Sequence, residues 1–169
     1  MIVKAEPADI EALVALINSC YRGKKSTEGW TTEANIIAGD MRIDVAALTE
    51  EFSNPTVTFL KFCGADGNIL GTVYLETQPN CVYLGMLSVS PDLQNQGIGR
   101  RLMMAAEAHA IEQGRHTIEM NVINLRHELI EWYKKLGYNF TGVQRPFPEN
   151  AFGSPVVNLH FEVMEKRVP

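Results

Sequence analysis

The sequence predicts a single α/β domain of the α+β kind, with a mixed, mostly antiparallel sheet of about seven strands and about four flanking helices. Three observations support this fold class. The 169 residues fit one domain that is large enough to bury a core. Three consecutive runs rich in β-branched and aromatic residues lie mid-chain, and helix-like and strand-like segments alternate after them. The sequence has no internal repeat or low-complexity segment, so residues 1–169 are expected to form one unit.

Two segments before the central strands are expected to be helical. Pro7 suits the first turn of a helix, where its missing N–H leaves no hydrogen bond unmade. Asp44 has a side chain of the type that caps a helix start. The long connection between the two helices is interrupted by glycines, and such connections are often functional. The expected elements are a strand over 2–5, helices over 7–21 and 44–52, and one helical turn near 32–38 within the connection over 22–42.

The rest of the chain predicts a meander of three strands, followed by alternating helices and strands. Residues 65–68 are a strong turn signal, and Gly114 and Gly137 are placed to end the two later helices. The inward face of the first of these helices is expected to be Ile98, Leu102, Ala105, Ala106 and Ile111. The expected elements are strands over 56–63, 69–77 and 81–90, a helix over 97–113, a strand over 116–122, a helix over 125–136, a short strand from 138 and a final strand over 156–166.

Composition and charge narrow the class of partner and the location. The net charge is −5 and the pI is about 5.4, which disfavours nucleic acid as a partner and mildly favours an amine-bearing one. The N-terminus has no signal-peptide pattern, and no apolar segment approaches the ~20 residues that span a bilayer, so no membrane association is expected. Cys20, Cys63 and Cys81 are widely spaced, which argues against a disulfide framework or a metal site and favours a cytoplasmic location.

The most informative segment runs from Met86 to Met104, where an apolar strand ends in a polar loop and two glycines open an amphipathic helix. The first turn of a helix has unpaired N–H groups at the positive end of its dipole, and Gly97 and Gly99 leave that backbone accessible. Arg100 and Arg101 add positive charge where the dipole disfavours it, a cost that a bound polyanion would offset. The pattern therefore predicts a pyrophosphate site.

Two other interpretations of the glycine pair exist. A helix start that packs tightly on a strand would also require glycine, and the pair alone does not exclude this. A Rossmann dinucleotide site requires G-x-G-x-x-G after the first strand of a parallel unit. No third glycine stands at the right offset after Gly99, and the preceding strands read as hairpins, so the Rossmann interpretation is disfavoured.

Two motifs in this order resemble the GCN5-related N-acetyltransferase (GNAT) family. The family's loop Q/R-x-x-G-x-G/A after an L-x-V strand end is matched by Gln94-Asn95-Gln96-Gly97-Ile98-Gly99 after Leu87-Ser88-Val89. Its aromatic pair followed by x-x-x-G-F/Y is matched by Trp132-Tyr133-Lys134-Lys135-Leu136-Gly137-Tyr138. The resemblance implies the acyl-CoA N-acyltransferase fold over nearly the whole chain. It also implies acetyl-CoA as the acyl donor and direct attack by an amine within a ternary complex.

The resemblance further implies roles for individual residues. Backbone groups of Leu87 and Val89 are expected to pair with the pantetheine arm, and the Leu87 N–H is a candidate oxyanion donor. Tyr133 matches the tyrosine that often protonates the departing thiolate, although its spacing alone also fits a core aromatic. The residues expected to bind the cofactor are Leu87, Val89, Gln94, Asn95, Gln96, Gly97, Ile98, Gly99, Arg100, Arg101 and Arg126.

Three assignments stay open in the sequence. Arg126 stands where many members carry asparagine, and it is expected to face the cofactor phosphates unless it is a solvated arginine at a helix start. Tyr83 stands where some relatives carry a glutamate that acts as the general base. Glu76 or Glu119 is therefore the provisional general base, and the alternative for each is an exposed strand residue without a catalytic role. The provisional acceptor-binding residues are Trp30, Tyr83, Phe147 and Phe152.

The sequence therefore predicts an acetyl-CoA-dependent N-acetyltransferase that acts on a primary amine of an unidentified small molecule or peptide. A different class of function is compatible with the same motifs, namely a non-catalytic acyl-CoA-binding sensor or partner module of the same fold. Since many members of the family are dimers, a homodimer is compatible with the resemblance.

Overall fold

In the computed structural model, which describes residues 1–148 and 153–169, helices cover both faces of a central sheet. The helices are α1 (Ile10–Tyr21), α2 (Gly23–Ser26), α3 (Val45–Ser53), α4 (Ile98–Glu112) and α5 (His127–Lys135). The strands are β1 (Ile2–Lys4), β2 (Ile37–Ala38), β3 (Val57–Cys63), β4 (Ile69–Thr77), β5 (Val82–Val89), β6 (Thr117–Ile123), β7 (Asn139–Pro146), β8 (Ser154–Pro155) and β9 (His160–Arg167).

Seven strands form the main sheet in the order β1-β3-β4-β5-β6-β9-β7, and β2 pairs with β8 in a separate two-stranded sheet. Within the described ranges, every strand pair is antiparallel except β5–β6, which is parallel. The predicted fold class, a mixed and mostly antiparallel sheet flanked by helices, is confirmed, and so is the central meander of β3, β4 and β5.

Side chains alternate across the sheet and feed two hydrophobic clusters. On β4, Val73 and Leu75 point to the cluster that α4 and α5 cover, whereas Tyr74 points to the cluster that α1 and α3 cover. This alternation is what a strand buried on both faces produces. Tyr138, directly after α5, is fully buried and closes the first cluster.

The ends of several elements differ from the predictions for local reasons. The first helix starts as a 3-10 turn over Pro7–Asp9, where the Asp9 carboxylate accepts the Glu6 amide at 2.8 Å. The helical turn expected near 32–38 lies instead at α2, and residues 37–38 form β2. The final strand starts at His160 rather than at residue 156, and the chain before it follows β2 instead: residues 154–155 pair with β2, and the Val156 amide donates to the Ile36 carbonyl at 2.9 Å.

The inward face of α4 differs from the predicted one in phase. The buried residues of the helix are Ile98, Leu102, Met103, Ala106 and Ala110. Steps of four from Ile98 reach Ala110, one position before Ile111, so Ile111 points outward and is 45 % exposed. Its predicted inward position was wrong.

Strand β5 separates from β6 soon after the two begin to pair. The parallel pairing is limited to Val82 with Ile118 and Tyr83 with Glu119. Further along β5, Met86 and Leu87 together oppose a single residue of β4, which is a β-bulge, and Met86 has a φ of 44°. A bulge bends its strand and increases the local twist. The cleft that opens between β5 and β6 is where the site lies.

Leu102→Ala tests the observed phase of α4. Leu102 is fully buried, so truncation should lower the free energy of unfolding by about 3 kcal/mol through lost burial and the cavity left behind. Ile111→Ala, on the outward face, should cost less than about 0.5 kcal/mol. Urea denaturation of both variants measures the difference. Equal losses at the two positions would contradict the assignment of the inward face.

Candidate functional site

Two cavities lie along the cleft, and they meet at Leu87 and Leu129, which line both. The smaller has a volume of about 210 Å³ and contains the start of α4. The larger has a volume of about 510 Å³, within the range of small-molecule sites, and lies between the end of α1, the middle of β5 and β6, and α5. The arrangement offers two compartments with a shared wall at the bulge.

The smaller cavity is built from the backbone of the loop before α4. Asn95 and Gly97 have φ values of 63° and 79°, in the left-handed region, and such residues occur in loops whose successive amides form an anion-binding concavity. The Arg101 amide makes the first helical bond, to the Gly97 carbonyl at 3.1 Å, so the preceding amides have no acceptor within the helix. A Cβ at Gly97 would meet nothing within 4 Å, which leaves the backbone open to a ligand.

Most of the predicted cofactor-binding residues line this smaller cavity. They are Leu87, Val89, Gln94, Asn95, Gly97, Ile98, Gly99 and Arg100. Gln96 and Arg101 are outside the lining, and the Arg101 guanidinium lies over the Phe62 ring at 4.7 Å from its centroid. The observed position of Arg101 favours packing over cofactor contact.

The Gln94 side chain ties the first connection to the glycine loop. Its Oε1 accepts the Trp30 amide at 2.8 Å, and its Nε2 donates to the Val89 carbonyl at 3.2 Å. Trp30, predicted to contact the acceptor, therefore lies at the smaller cavity, with its ring centroid 6.5 Å from that of Trp132. The two tryptophans form an aromatic wall of the predicted cofactor site.

The outer edge of β5 faces the cleft. The Ser90 amide bonds to the Leu70 carbonyl of β4, so by alternation Leu87 and Val89 direct their backbone groups to the opposite edge. Their carbonyls accept side-chain donors there: the Tyr21 hydroxyl donates to Leu87 at 3.0 Å, and the Cys20 thiol donates to Val89 at 3.2 Å. The geometry leaves the amides of this edge directed into the cleft.

Tyr133 lines the larger cavity from α5. Its side chain is buried, and its ring packs against Trp132 and Tyr138 with centroid distances of 5.1 and 6.0 Å. Burial raises the pKa of the Tyr133 phenol to about 12. The Arg126 charge opposes this increase, and Tyr83 adds to it. The hydroxyl is therefore protonated near neutral pH. The residue is both a core aromatic and a potential proton donor.

A group of three buried charged residues lines part of the larger cavity. Arg126 donates to one Glu33 carboxylate oxygen at 3.2 Å, and Arg22 pairs with the other oxygen. All three residues are less than one-tenth exposed. Arg126 also donates to the Thr31 hydroxyl at 2.7 Å. Burial lowers the pKa of the Arg22 guanidinium, and the Glu33 carboxylate opposes that decrease.

The position of Arg126 bears on its predicted role. It lines the larger cavity rather than the smaller one, so the observed contacts favour a structural and electrostatic role beside Tyr133 over contact with the cofactor phosphates. Sequence reasoning missed Arg22 and Glu33, because the connection that carries them shows only a weak pattern. No local spacing signals that they converge on Arg126.

The remaining predicted residues are divided between the cavity and its surroundings. Tyr83 and Phe147 line the larger cavity, whereas Phe152 lies outside the described residues. Glu76 and Glu119 line neither cavity. The Glu76 carboxylate accepts the Gln78 amide at 3.0 Å, and the Glu119 carboxylate accepts the Arg145 guanidinium at 2.9 Å.

Two charged residues that the sequence did not single out also line the larger cavity. Glu51 of α3 accepts a hydrogen bond from the Tyr74 hydroxyl at 3.1 Å. Burial is the main cause of the raised pKa of Tyr74, and the Glu51 carboxylate raises it further. Arg42 lies with its Cζ 5.8 Å from the centroid of the Tyr21 ring. Arg42 precedes α3, whereas Glu51 lies within that helix.

Residues 1–148 and 153–169 contain no group of three or more His, Cys, Asp or Glu side chains placed to hold a metal ion. No helix in these ranges has the length and apolar character required to cross a bilayer.

Comparison with known families shows one match that spans most of the chain. The sequence profile described as "Acetyltransferase (GNAT) family" matches residues 10–138. This range includes the glycine loop, both tryptophans of the smaller cavity and Tyr133. A search among curated protein sequences found no match.

Solved structures share the fold along the whole chain. The ribosomal-protein-S18-alanine N-acetyltransferase of Escherichia coli has a TM-score of 0.73 at 16% identity, covering 99% of this chain and 93% of that one. An aminoglycoside 6'-N-acetyltransferase complexed with coenzyme A has a TM-score of 0.71 at 20% identity, covering 100% and 98%. A Salmonella typhimurium protein solved with its cofactor acetyl-CoA has a TM-score of 0.71 at 18% identity, covering 100% and 94%. At these identities the likeness establishes the fold.

Glu33→Gln tests the buried charge group. Removing the carboxylate charge leaves two buried arginines without their shared counter-charge, so the free energy of unfolding should decrease by about 3 kcal/mol. Glu131→Gln is the control, because its pair with Lys134 is solvent-exposed and its loss should not be measurable. Urea denaturation measures both. An unchanged stability of the Glu33 variant would show that the group does not support the fold.

Proposed function

The chain belongs to the acetyltransferase (GNAT) family and is accordingly an acyltransferase; from this premise we propose that it transfers an acetyl group from acetyl-CoA to a primary amine within a ternary complex. The observation that carries the proposal is the junction of the two cavities at Leu87. A donor in the smaller cavity and an acceptor in the larger one would meet beside the part of β5 that no longer pairs with β6.

The donor side of the proposal rests on backbone groups. The amides around Gly97 and Gly99 would bind the pyrophosphate of the cofactor. Trp30 and Trp132 would flank the pantetheine arm where it leaves the pyrophosphate. The pantetheine arm would run along the open edge of β5 toward Leu87. The Leu87 amide would stabilise the oxygen of the reacting thioester carbonyl as negative charge develops on it.

The transfer step follows from the juxtaposition of amine and thioester. The acceptor nitrogen forms a bond to the carbonyl carbon, and the carbon–sulfur bond breaks. Tyr133, protonated because burial raises its pKa, would donate its proton to the departing thiolate. The proton that the nitrogen loses would return to solvent through a base. An amide and the free thiol of CoA result, and no protein nucleophile is required.

The reaction also requires a general base to accept the proton that the attacking amine loses. Glu76 and Glu119 were inferred from the sequence, and each would have to act through water because neither lines the cavities. Glu51 lines the larger cavity, and its observed contact is with the Tyr74 hydroxyl, a neutral donor. Glu33 is occupied by two arginines. These contacts make Glu51 the better-placed carboxylate to accept a proton.

We also propose a cytoplasmic location, which the free thiols of Cys20, Cys63 and Cys81 support. A homodimer stays a prediction from the family resemblance.

Replacing Gly97 tests the donor site. Calorimetry should show acetyl-CoA binding by the wild-type protein, and Gly97→Glu should abolish it by filling the amide pocket with a carboxylate. Gly67→Glu is the matched control, because Gly67 has a similar φ of 84° and similarly open surroundings but lies in the β3–β4 turn. Both variants carry the same backbone strain and the same charge change, so only the Gly97 variant should lose the donor.

A thiol-release assay with a panel of primary amines completes the test of function. Turnover by the wild-type protein and by Gly67→Glu, but not by Gly97→Glu, would support acetyl transfer. Acetyl-CoA binding without turnover of any amine would favour the non-catalytic sensor. A wild-type protein that fails to bind acetyl-CoA would contradict the proposal altogether.

Tyr133→Phe tests the proton donor. The variant should bind acetyl-CoA as the wild type does but lose about 10²-fold in kcat, since it keeps the ring and removes the proton. The acid acts in its protonated form and its pKa is about 12, so Tyr133 should produce no loss of wild-type activity as the pH rises to about 10. An alkaline loss of activity below that pH that disappears in the variant would contradict the assignment, as would an unchanged kcat.

A further inference from the structure

The larger cavity has a charge balance opposite to that of the chain. Its charged lining residues are Arg22, Arg42, Arg126, Glu33 and Glu51, whereas the whole chain has a net charge of −5. Glu33 is shared between two of these arginines, so that group already has an excess of positive charge. An acceptor that enters this cavity meets three arginines and two glutamates, a lining with an excess of positive charge.

Arg42 differs from the other two arginines in its contacts. Within residues 1–148 and 153–169, no carboxylate lies at ion-pair distance from its guanidinium, and its side chain makes no hydrogen bond. Its one observed side-chain contact is the face of the Tyr21 ring. The five N–H donors of the guanidinium are thus available to a molecule in the cavity.

The backbone around Arg42 is fixed, so this cation does not belong to a freely moving loop. The Arg42 amide donates to the Asn18 side chain at 2.6 Å, and the Ile43 amide donates to the same oxygen at 3.1 Å. The Asn18 side-chain amide donates back to the Ile43 carbonyl at 2.9 Å. Three hydrogen bonds therefore hold this turn against α1.

Tyr21 links Arg42 to the junction of the two cavities. Arg42 and Arg126 each lie 5.8 Å from the centroid of the Tyr21 ring, and the Tyr21 hydroxyl donates to the Leu87 carbonyl. The Arg42 charge also reaches Tyr83 across the cavity, where it opposes the increase in pKa that burial causes. A small molecule that binds Arg42 would consequently lie beside the proposed reaction centre.

Resting on the proposed function, we propose that the acceptor is an amine that also carries a carboxylate, as an amino acid does, and that Arg42 is the specificity-determining residue that binds this carboxylate. The planar fork of a guanidinium matches a carboxylate with two parallel hydrogen bonds. The amine end would then face Leu87, Glu51 and Tyr133. The negative net charge of the chain had favoured a cationic acceptor, but the residues that line the cavity act at closer range than the net charge does.

The test compares acceptors that differ only in the carboxylate: phenylalanine with phenethylamine, methionine with 3-(methylthio)propylamine, and lysine with 1,5-diaminopentane. Thiol release from acetyl-CoA gives kcat/KM for each. The carboxylated member of at least one pair should exceed its partner by about tenfold or more, as expected for a charge-assisted contact. This comparison uses the wild-type protein and needs no variant to fold.

Variants of Arg42 locate the effect. Arg42→Gln should raise KM for the carboxylated acceptor by about tenfold with little change in kcat, and it should leave the partner amine unaffected. Arg42→Lys keeps the positive charge but not the planar guanidinium, so its KM for the carboxylated acceptor should lie between those of the wild type and of Arg42→Gln. Arg167→Gln, on the exposed end of β9, removes an equal charge as the control. Acetyl-CoA affinity and melting temperature should match the wild type in all three.

Three outcomes would overturn the inference alone, and a fourth would overturn the proposed function as well. Equal or higher kcat/KM for the amines without a carboxylate would overturn the inference, and so would an Arg42→Gln variant that loses activity equally on both members of a pair. Acetyl-CoA binding without turnover of any member would also overturn it. A wild-type protein that does not bind acetyl-CoA would overturn the proposed function itself, and the inference with it.

Discussion

The incomplete pairing of β5 with β6 is the constraint on which the rest of the site depends. A strand that loses a neighbour exposes a row of backbone donors and acceptors, which are costly to leave unmet. Here β4 supports β5 on one side, and the bulge at Met86 turns its far end away from β6. Tyr21 and Cys20, at the end of α1, donate hydrogen bonds to two of the unpaired β5 carbonyls. The exposed edge is thereby stable without being closed, and both cavities open onto it.

A second feature, the distribution of charge, separates what the surface does from what the cavity does. The acidic surface governs long-range attraction and solubility. The arginines near Glu33 are buried, where an ion pair is useful only if its geometry is well satisfied. The pair of Glu33 with Arg126 also joins the first connection to the start of α5. The same interaction thus closes one wall of the larger cavity and places positive charge beside Tyr133.

The sequence predicted the elements and the position of the glycine loop because both depend on local patterns. Hydrophobic periodicity gave α1, α4 and the meander, and the spacing of Gly97 and Gly99 gave the loop that lines the smaller cavity. The sequence did not predict which residue faces the core near the end of α4. Ala110 and Ile111 are adjacent apolar residues there, and only packing in the folded chain determines which of them is buried. Glu33 and Arg126 are 93 positions apart, and neither has a neighbour pattern that points to the other. Arg42 precedes the capped start of α3 and Glu51 lies near its C-terminal end, and only the folded chain brings them to one cavity.

The contact between Gln94 and Gly29 makes two distant positions interdependent. A Cβ at residue 29 would lie 2.7 Å from the Gln94 Oε1, so any larger residue there would displace the side-chain amide. The displacement itself is inexpensive, since the end of a glutamine is flexible, but it would separate the amide from both the Trp30 backbone and the Val89 carbonyl. The fold would survive, but the first connection would lose its hydrogen-bonded link to the glycine loop. Residues 29 and 94 therefore form a matched pair, in which a bulkier residue at one position requires a shorter one at the other.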